Sequence, residues 1–89
     1  MPLQRIVSLR RFDRAFEKLP RDIKKRFSKQ LDLFIQDPLY PSLKTERIRG
    51  AVYASRVTEF YRFTWEFGEE KSTVILRNIG KHDPVLKDG

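Results

Sequence analysis

The sequence predicts an α+β domain of order β-α-α-β-β-β, in which an N-terminal helical hairpin packs on one face of a small, mostly antiparallel sheet. Three observations predict it. Apolar residues recur every three to four positions between residues 12 and 34, alternate between residues 60 and 67, and run unbroken at residues 74–76. At 89 residues the chain reads as a single domain, 1–89, near the size at which only about two thirds of the chain surface is buried on folding.

Residues 3–9 (LQRIVSL) read as an opening strand, with Ser8 placed to cap the next helix. Phe12, Ala15, Phe16 and Leu19 then form one helical stripe. Pro20 ends that helix and opens a second, whose stripe is Ile23, Phe27, Leu31 and Phe34; Pro38 stops it by disfavouring the helical region for Asp37. Residues 37–50 (DPLYPSLKTERIRG) read as a loop anchored by Leu43 and Ile48. Residues 52–57 form the next strand. In residues 60–67, Tyr61, Phe63, Trp65 and Phe67 share the core face, while Phe60, Arg62, Thr64 and Glu66 share the other. GEEK, residues 68–71, is a turn into a last strand, 73–79, whose Val74, Ile75 and Leu76 suggest burial on both faces and a central position. Gly80 is expected to end it, and KDG, residues 87–89, to form a tail.

Nineteen Lys and Arg against twelve Asp and Glu give a net charge of +7, so phosphate or an acidic protein is the natural partner. With no Cys there is no disulfide framework, thiolate nucleophile or Cys-based zinc site, and one His argues against a His-based metal site. No cofactor is expected. The start lacks the long apolar run of a signal peptide, and nowhere do about 18 apolar residues follow one another, so a soluble, cytoplasmic protein with no membrane partner is expected.

The charge falls in two clusters. Arg10, Arg11, Arg14, Lys18, Arg21, Lys24, Lys25, Arg26 and Lys29 stand against Asp13, Glu17 and Asp22, a net of +6 on the hairpin. This is either the solvated face of two helices or a docking surface. Arg47, Arg49, Arg56, Arg62, Lys81 and His82 come from separate segments that strand pairing would gather on one surface. Arg62, opposite the aromatic face of its strand, either holds phosphate through its fork of donors or pairs with Glu59 or Glu66. His82, in RNIGKHDP, is either a turn residue bonded to Asp83 or a proton-transfer group. Tyr53 and Tyr61 suit base stacking and core packing alike.

An apolar first strand before SLRRFDRAFEKLP, a basic helix ending in QDP, then SLKTERIRG, YASRVTEFYRFTWEF and ILRNIGKHDPVL follow one another in an order and spacing that resembles the RelE/ParE superfamily, the small toxins of type II toxin-antitoxin modules. The resemblance covers nearly the whole chain. It implies the βααβββ fold and, in the RelE branch, metal-independent cleavage of mRNA in the ribosomal A site by attack of the ribose 2′-OH on the adjacent phosphate. Carried over, Arg62 is the arginine of the "YR" pair, Arg56 the basic residue of the preceding strand, and His82 the residue after "GK". Arg56 and Arg62 would hold phosphate, and His82 would transfer a proton with Asp83 orienting it. Arg14, Lys18, Lys24, Lys25, Arg47, Arg49 and Lys81 would bind RNA. The implied partners are a cognate acidic antitoxin, the ribosome and mRNA. Two departures stand out: AVYASRV carries only Arg56 where some ribonuclease members have paired lysines, and Leu86 lies near the place of a catalytic tyrosine. They keep open a ParE-like, non-enzymatic inhibitor of DNA gyrase and a binding protein without activity.

Overall fold

In the computed structural model, which describes residues 2–88, two helices pack on one face of a five-stranded sheet. The elements are β1 (Arg5–Ser8), α1 (Arg10–Glu17), α2 (Arg21–Gln36), β2 (Glu46–Arg49), β3 (Val52–Arg56), β4 (Tyr61–Phe67), β5 (Thr73–Lys81) and α3 (His82–Asp88). The strand order is β1-β5-β4-β3-β2, with β1 parallel to β5 and every other pairing antiparallel.

The expected fold class is present, with one strand and one helix more than the sequence pattern disclosed. β2 falls inside the expected loop. Its ERIR carries one apolar residue, so this edge strand is held by backbone pairing to β3 and leaves no alternation to read. β5 runs past Gly80 to Lys81, and α3 follows at once; its seven residues are too few to display a helical stripe. Lys87 and Asp88 belong to α3 rather than to a tail, and Gly89 lies outside the described residues.

α1 buries Phe12 and half-buries Ala15 and Phe16, as the stripe requires. Ser8 does not cap it. Leu9 holds the N-cap position, and Ser8 Oγ donates instead to Asp13 Oδ1 at 2.7 Å. α2 begins after Pro20 and ends at Asp37, whose extended backbone (φ −163°, ψ 111°) is the one Pro38 favours. Phe63 of β4 meets Phe27 and Phe34 edge-on, each with ring centroids 5.2 Å apart, and Trp65 meets Phe34 at 5.0 Å. Phe34, Phe63 and Trp65 are fully buried, so the aromatic face of β4 is the centre of the core.

Leu43 is fully buried and Ile48 half-buried, so both anchor the 37–50 segment. A chain of polar contacts, buried at Trp65 and Ser55 and part-buried at Thr45, ties that segment to the sheet: Trp65 Nε1 donates to Ser55 Oγ (2.8 Å), Ser55 Oγ lies 2.6 Å from Thr45 Oγ1, and Thr45 Oγ1 donates to Pro38 O (2.9 Å). Because the Thr45 hydroxyl has one proton and gives it to Pro38, Ser55 is the donor to Thr45. β5 lies inside the sheet between β1 and β4, burying Val74 and Leu76 against the hairpin. Ile75 is only half-buried, because with Val7 it lines an open cavity on the other face.

Candidate functional site

At one end of the sheet β3 finishes, β4 begins and β5 runs into α3. Register places Arg56 opposite Arg62, and Arg62 opposite Gly80, on the face away from the hairpin. Two guanidinium groups are thus immediate cross-strand neighbours, an arrangement that costs free energy unless an anion shares it. α2 reaches under the sheet to fix this end of β3: Gln30, a buried polar residue beside the apolar stripe, donates from Nε2 to Arg56 O at 2.8 Å. Arg56 Nε is itself buried and has no hydrogen-bond partner among the described residues.

Arg62 pairs with neither Glu59 nor Glu66 through its side chain. Its Nη1 donates to three carbonyls of the 58–61 bend, Thr58 O (2.6 Å), Tyr61 O (2.9 Å) and Glu59 O (3.1 Å), while Glu66 pairs with Arg77 at 2.7 Å. One nitrogen therefore shapes the bend, leaving Nε and Nη2 of the fork for another acceptor. Burial first, and the nearby Arg56 charge second, hold the Arg62 guanidinium below the ordinary arginine value, against the opposing pull of Glu46 and Glu59. Glu46 is a residue the sequence pattern does not single out. It opens β2, pairs with Ala54 two residues before Arg56, and went unseen because the segment read as a loop.

His82 is not in a turn; it is the first residue of α3. Its backbone N–H donates to Phe60 O at 2.8 Å, which sets the start of α3 beside the 58–61 bend. His82 Nδ1 lies 3.0 Å from Asp83 Oδ1, and the two side chains are 43% and 88% exposed. That contact does not engage Nε2. Gly80 carries no side chain beside Arg62, and a Cβ there would meet Val85 at 4.0 Å, an ordinary contact. α3 seats here, burying Val85, with Arg49 Nη1 donating to Leu86 O (3.2 Å) and Lys87 O (3.4 Å).

The remaining candidates divide between two faces. Lys81 pairs with Tyr61, and Arg47 pairs with Tyr53, whose ring stacks on Trp65 at 4.8 Å on the hairpin side. Arg47 Nε donates to Gly50 O within its own hairpin. Tyr53 and Tyr61 are half-buried and pack against the core. Arg14, Lys18 and Lys25 are exposed on the hairpin, and Lys24 Nζ stands 5.6 Å from the Phe16 ring centroid. The hairpin cations and the Arg56–Arg62 pair thus lie on opposite sides of the sheet, joined at one point: Thr58 lines a groove with Lys25, Arg26 and Lys29, while its carbonyl accepts from Arg62. Among the described residues, no group of three or more His, Asp or Glu is placed to hold a metal ion, and no helix is long and apolar enough to cross a membrane.

No family model matches the sequence, and no curated protein matches it either. Solved structures do. The YoeB/ParE toxin from Agrobacterium tumefaciens superposes with a TM-score of 0.75 at 13% identity, over 89% of this chain and 99% of that one. The archaeal RelE-RelB complex from Pyrococcus horikoshii gives 0.69 at 18% identity, over 93% and 98%. The intact E. coli RelBE toxin-antitoxin complex gives 0.70 at 20% identity, over 88% and 95%. The chain therefore has the fold of the RelE, YoeB and ParE toxins.

Proposed function

We propose that this chain, with the fold of the RelE and YoeB toxins, is the toxin of a type II toxin-antitoxin module and stops translation by cutting mRNA on the ribosome in the cytoplasm. The observation that carries this reading is the Arg56–Arg62 opposition beside His82. Two like charges set opposite each other across β3 and β4 suit the binding of a phosphate between them. In the proposed reaction the ribose 2′-oxygen attacks the adjacent phosphorus, a 2′,3′-cyclic phosphate forms, and the bond to the 5′-oxygen breaks. Arg56 and Arg62 would neutralise the charge that develops on the phosphoryl oxygens. His82 would give a proton to the leaving 5′-oxygen, with Asp83 at Nδ1 fixing the ring. Glu46, whose charge reaches Arg62 on the same face, is the carboxylate available to accept the 2′-OH proton.

Arg14, Lys18, Lys24 and Lys25 on the hairpin would dock on ribosomal RNA, and Thr58 would join that surface to the phosphate site. Arg47, Arg49 and Lys81 would add charge around the mRNA. The cognate partner would be an acidic antitoxin, by analogy with the RelB and YefM chains in the complexes whose toxins share this fold.

A ParE-like inhibitor of DNA gyrase is the second reading, favoured by the single cation in AVYASRV and by Leu86 near the place of a catalytic tyrosine. Induction in bacteria separates the two. The ribonuclease reading expects translation to stop with mRNA cut within codons, and Arg62→Ala to abolish the effect; trapped gyrase with intact mRNA contradicts it.

A further inference from the structure

Phe60 is the most exposed large apolar residue of the described chain, at 69%. A lone exposed apolar side chain is common and needs no explanation. Phe60 differs in its surroundings. With Lys81, His82, Asp83 and Pro84 it lines an open cavity of about 400 Å³, a volume within the range of small-molecule sites, about 300–1,000 Å³.

Its backbone is held at both ends. The Phe60 N–H donates to Thr58 Oγ1 at 3.2 Å, and its carbonyl accepts from His82 N at 2.8 Å. The bend that carries it is closed by the three bonds from Arg62 Nη1. An aromatic ring is thus kept in water on a fixed backbone, two residues from a phosphate-seeking guanidinium and against the proposed proton donor. A binding partner spends little ordering entropy on such a ring.

Resting on the ribonuclease reading above, we infer that Phe60 is a stacking platform for a nucleobase of the RNA, seating the base of the nucleotide whose phosphate lies at Arg56 and Arg62. The flat apolar ring takes a base face, Lys81 and His82 supply positive charge to the attached backbone, and one ribose links base to phosphate. The π-face of any base suits such a platform, so the site selects single-stranded RNA over a duplex whose bases are already stacked.

The test uses two probes at low salt, a 2′-O-methyl RNA trinucleotide, which cannot be cut, and the same oligomer with an abasic central position. Phe60→Trp provides a reporter, since the natural Trp65 is fully buried. Its emission should fall on adding the trinucleotide and stay constant with the abasic oligomer. Phe60→Ala and Phe60→Leu should bind the trinucleotide about tenfold more weakly and the abasic oligomer as the wild type does. Wild-type affinity of both variants for the trinucleotide, or a Phe60→Trp signal indifferent to the base, overturns the platform. Arg56→Ala, which removes no bond to the 58–61 bend, should weaken both oligomers alike; if it weakens neither while Phe60→Ala weakens the trinucleotide, the platform stands and the phosphate assignment falls. A wild-type protein that binds neither oligomer overturns both.

Discussion

Arg56 and Arg62 face each other as direct cross-strand partners on β3 and β4, and the buried Arg56 Nε finds no hydrogen-bond partner among the described residues. An oxyanion bound beside the two guanidinium groups offsets their repulsion. Inorganic phosphate should therefore raise the melting temperature beyond what chloride does at equal ionic strength. At ten times its dissociation constant the gain is about 1.4 kcal/mol, a shift of several degrees for a domain of this size. Arg56→Ala should remove the phosphate-specific part, as differential scanning fluorimetry would record; equal shifts in both proteins would argue against a shared anion site.

The same pair should make the site a cost to stability. Arg62 binds its proton less tightly folded than unfolded, because of burial and then Arg56, so its contribution to stability rises with pH and the penalty is fully present below its folded value. That titration lies above the range in which folding is usually measured, which makes salt the practical handle. Arg56→Met should be more stable than the wild type at about 20 mM salt, by up to about 1 kcal/mol, and the difference should shrink near 0.5 M as screening shortens the reach of the charge. Urea melts at the two salt concentrations check this.

The polar chain through Ser55 predicts a specific non-additivity. Ser55→Ala leaves the Trp65 indole N–H buried without its acceptor, at a cost of roughly 1–3 kcal/mol. Adding Trp65→Phe should then cost less in the Ser55→Ala background than in the wild type, since the N–H has already lost its partner. A double-mutant cycle by chemical denaturation measures the coupling.

Legibility followed side-chain pattern. The hairpin and β4 were readable because Phe12, Phe27, Phe34, Phe63 and Trp65 mark one face at helical or strand spacing, and the structure buries all five. β2 and α3 were not, because ERIR is paired through its backbone and HDPVLKD is too short for a period. Arg56 and Arg62 could be placed on one surface from alternation and strand pairing alone. That Arg62 spends one nitrogen on the 58–61 bend could not be foreseen, since a side chain bonding to carbonyls leaves no mark in residue type. Gln30 was passed over for a like reason. It adjoins an apolar stripe, and only the end of β3 beneath it gives it a task.

The proposed cleavage needs His82, which opens α3 with Asp83 at its Nδ1 and Phe60 at its backbone N–H, to transfer a proton. The most direct measurement is single-turnover cleavage of mRNA on programmed ribosomes by wild type and His82→Gln, across pH 6 to 8. Gln keeps the size and hydrogen bonding of the side chain and cannot titrate. The account predicts a loss of about 10²-fold or more at each pH, with unchanged ribosome affinity. Cleavage by His82→Gln at the wild-type rate throughout that range would contradict it.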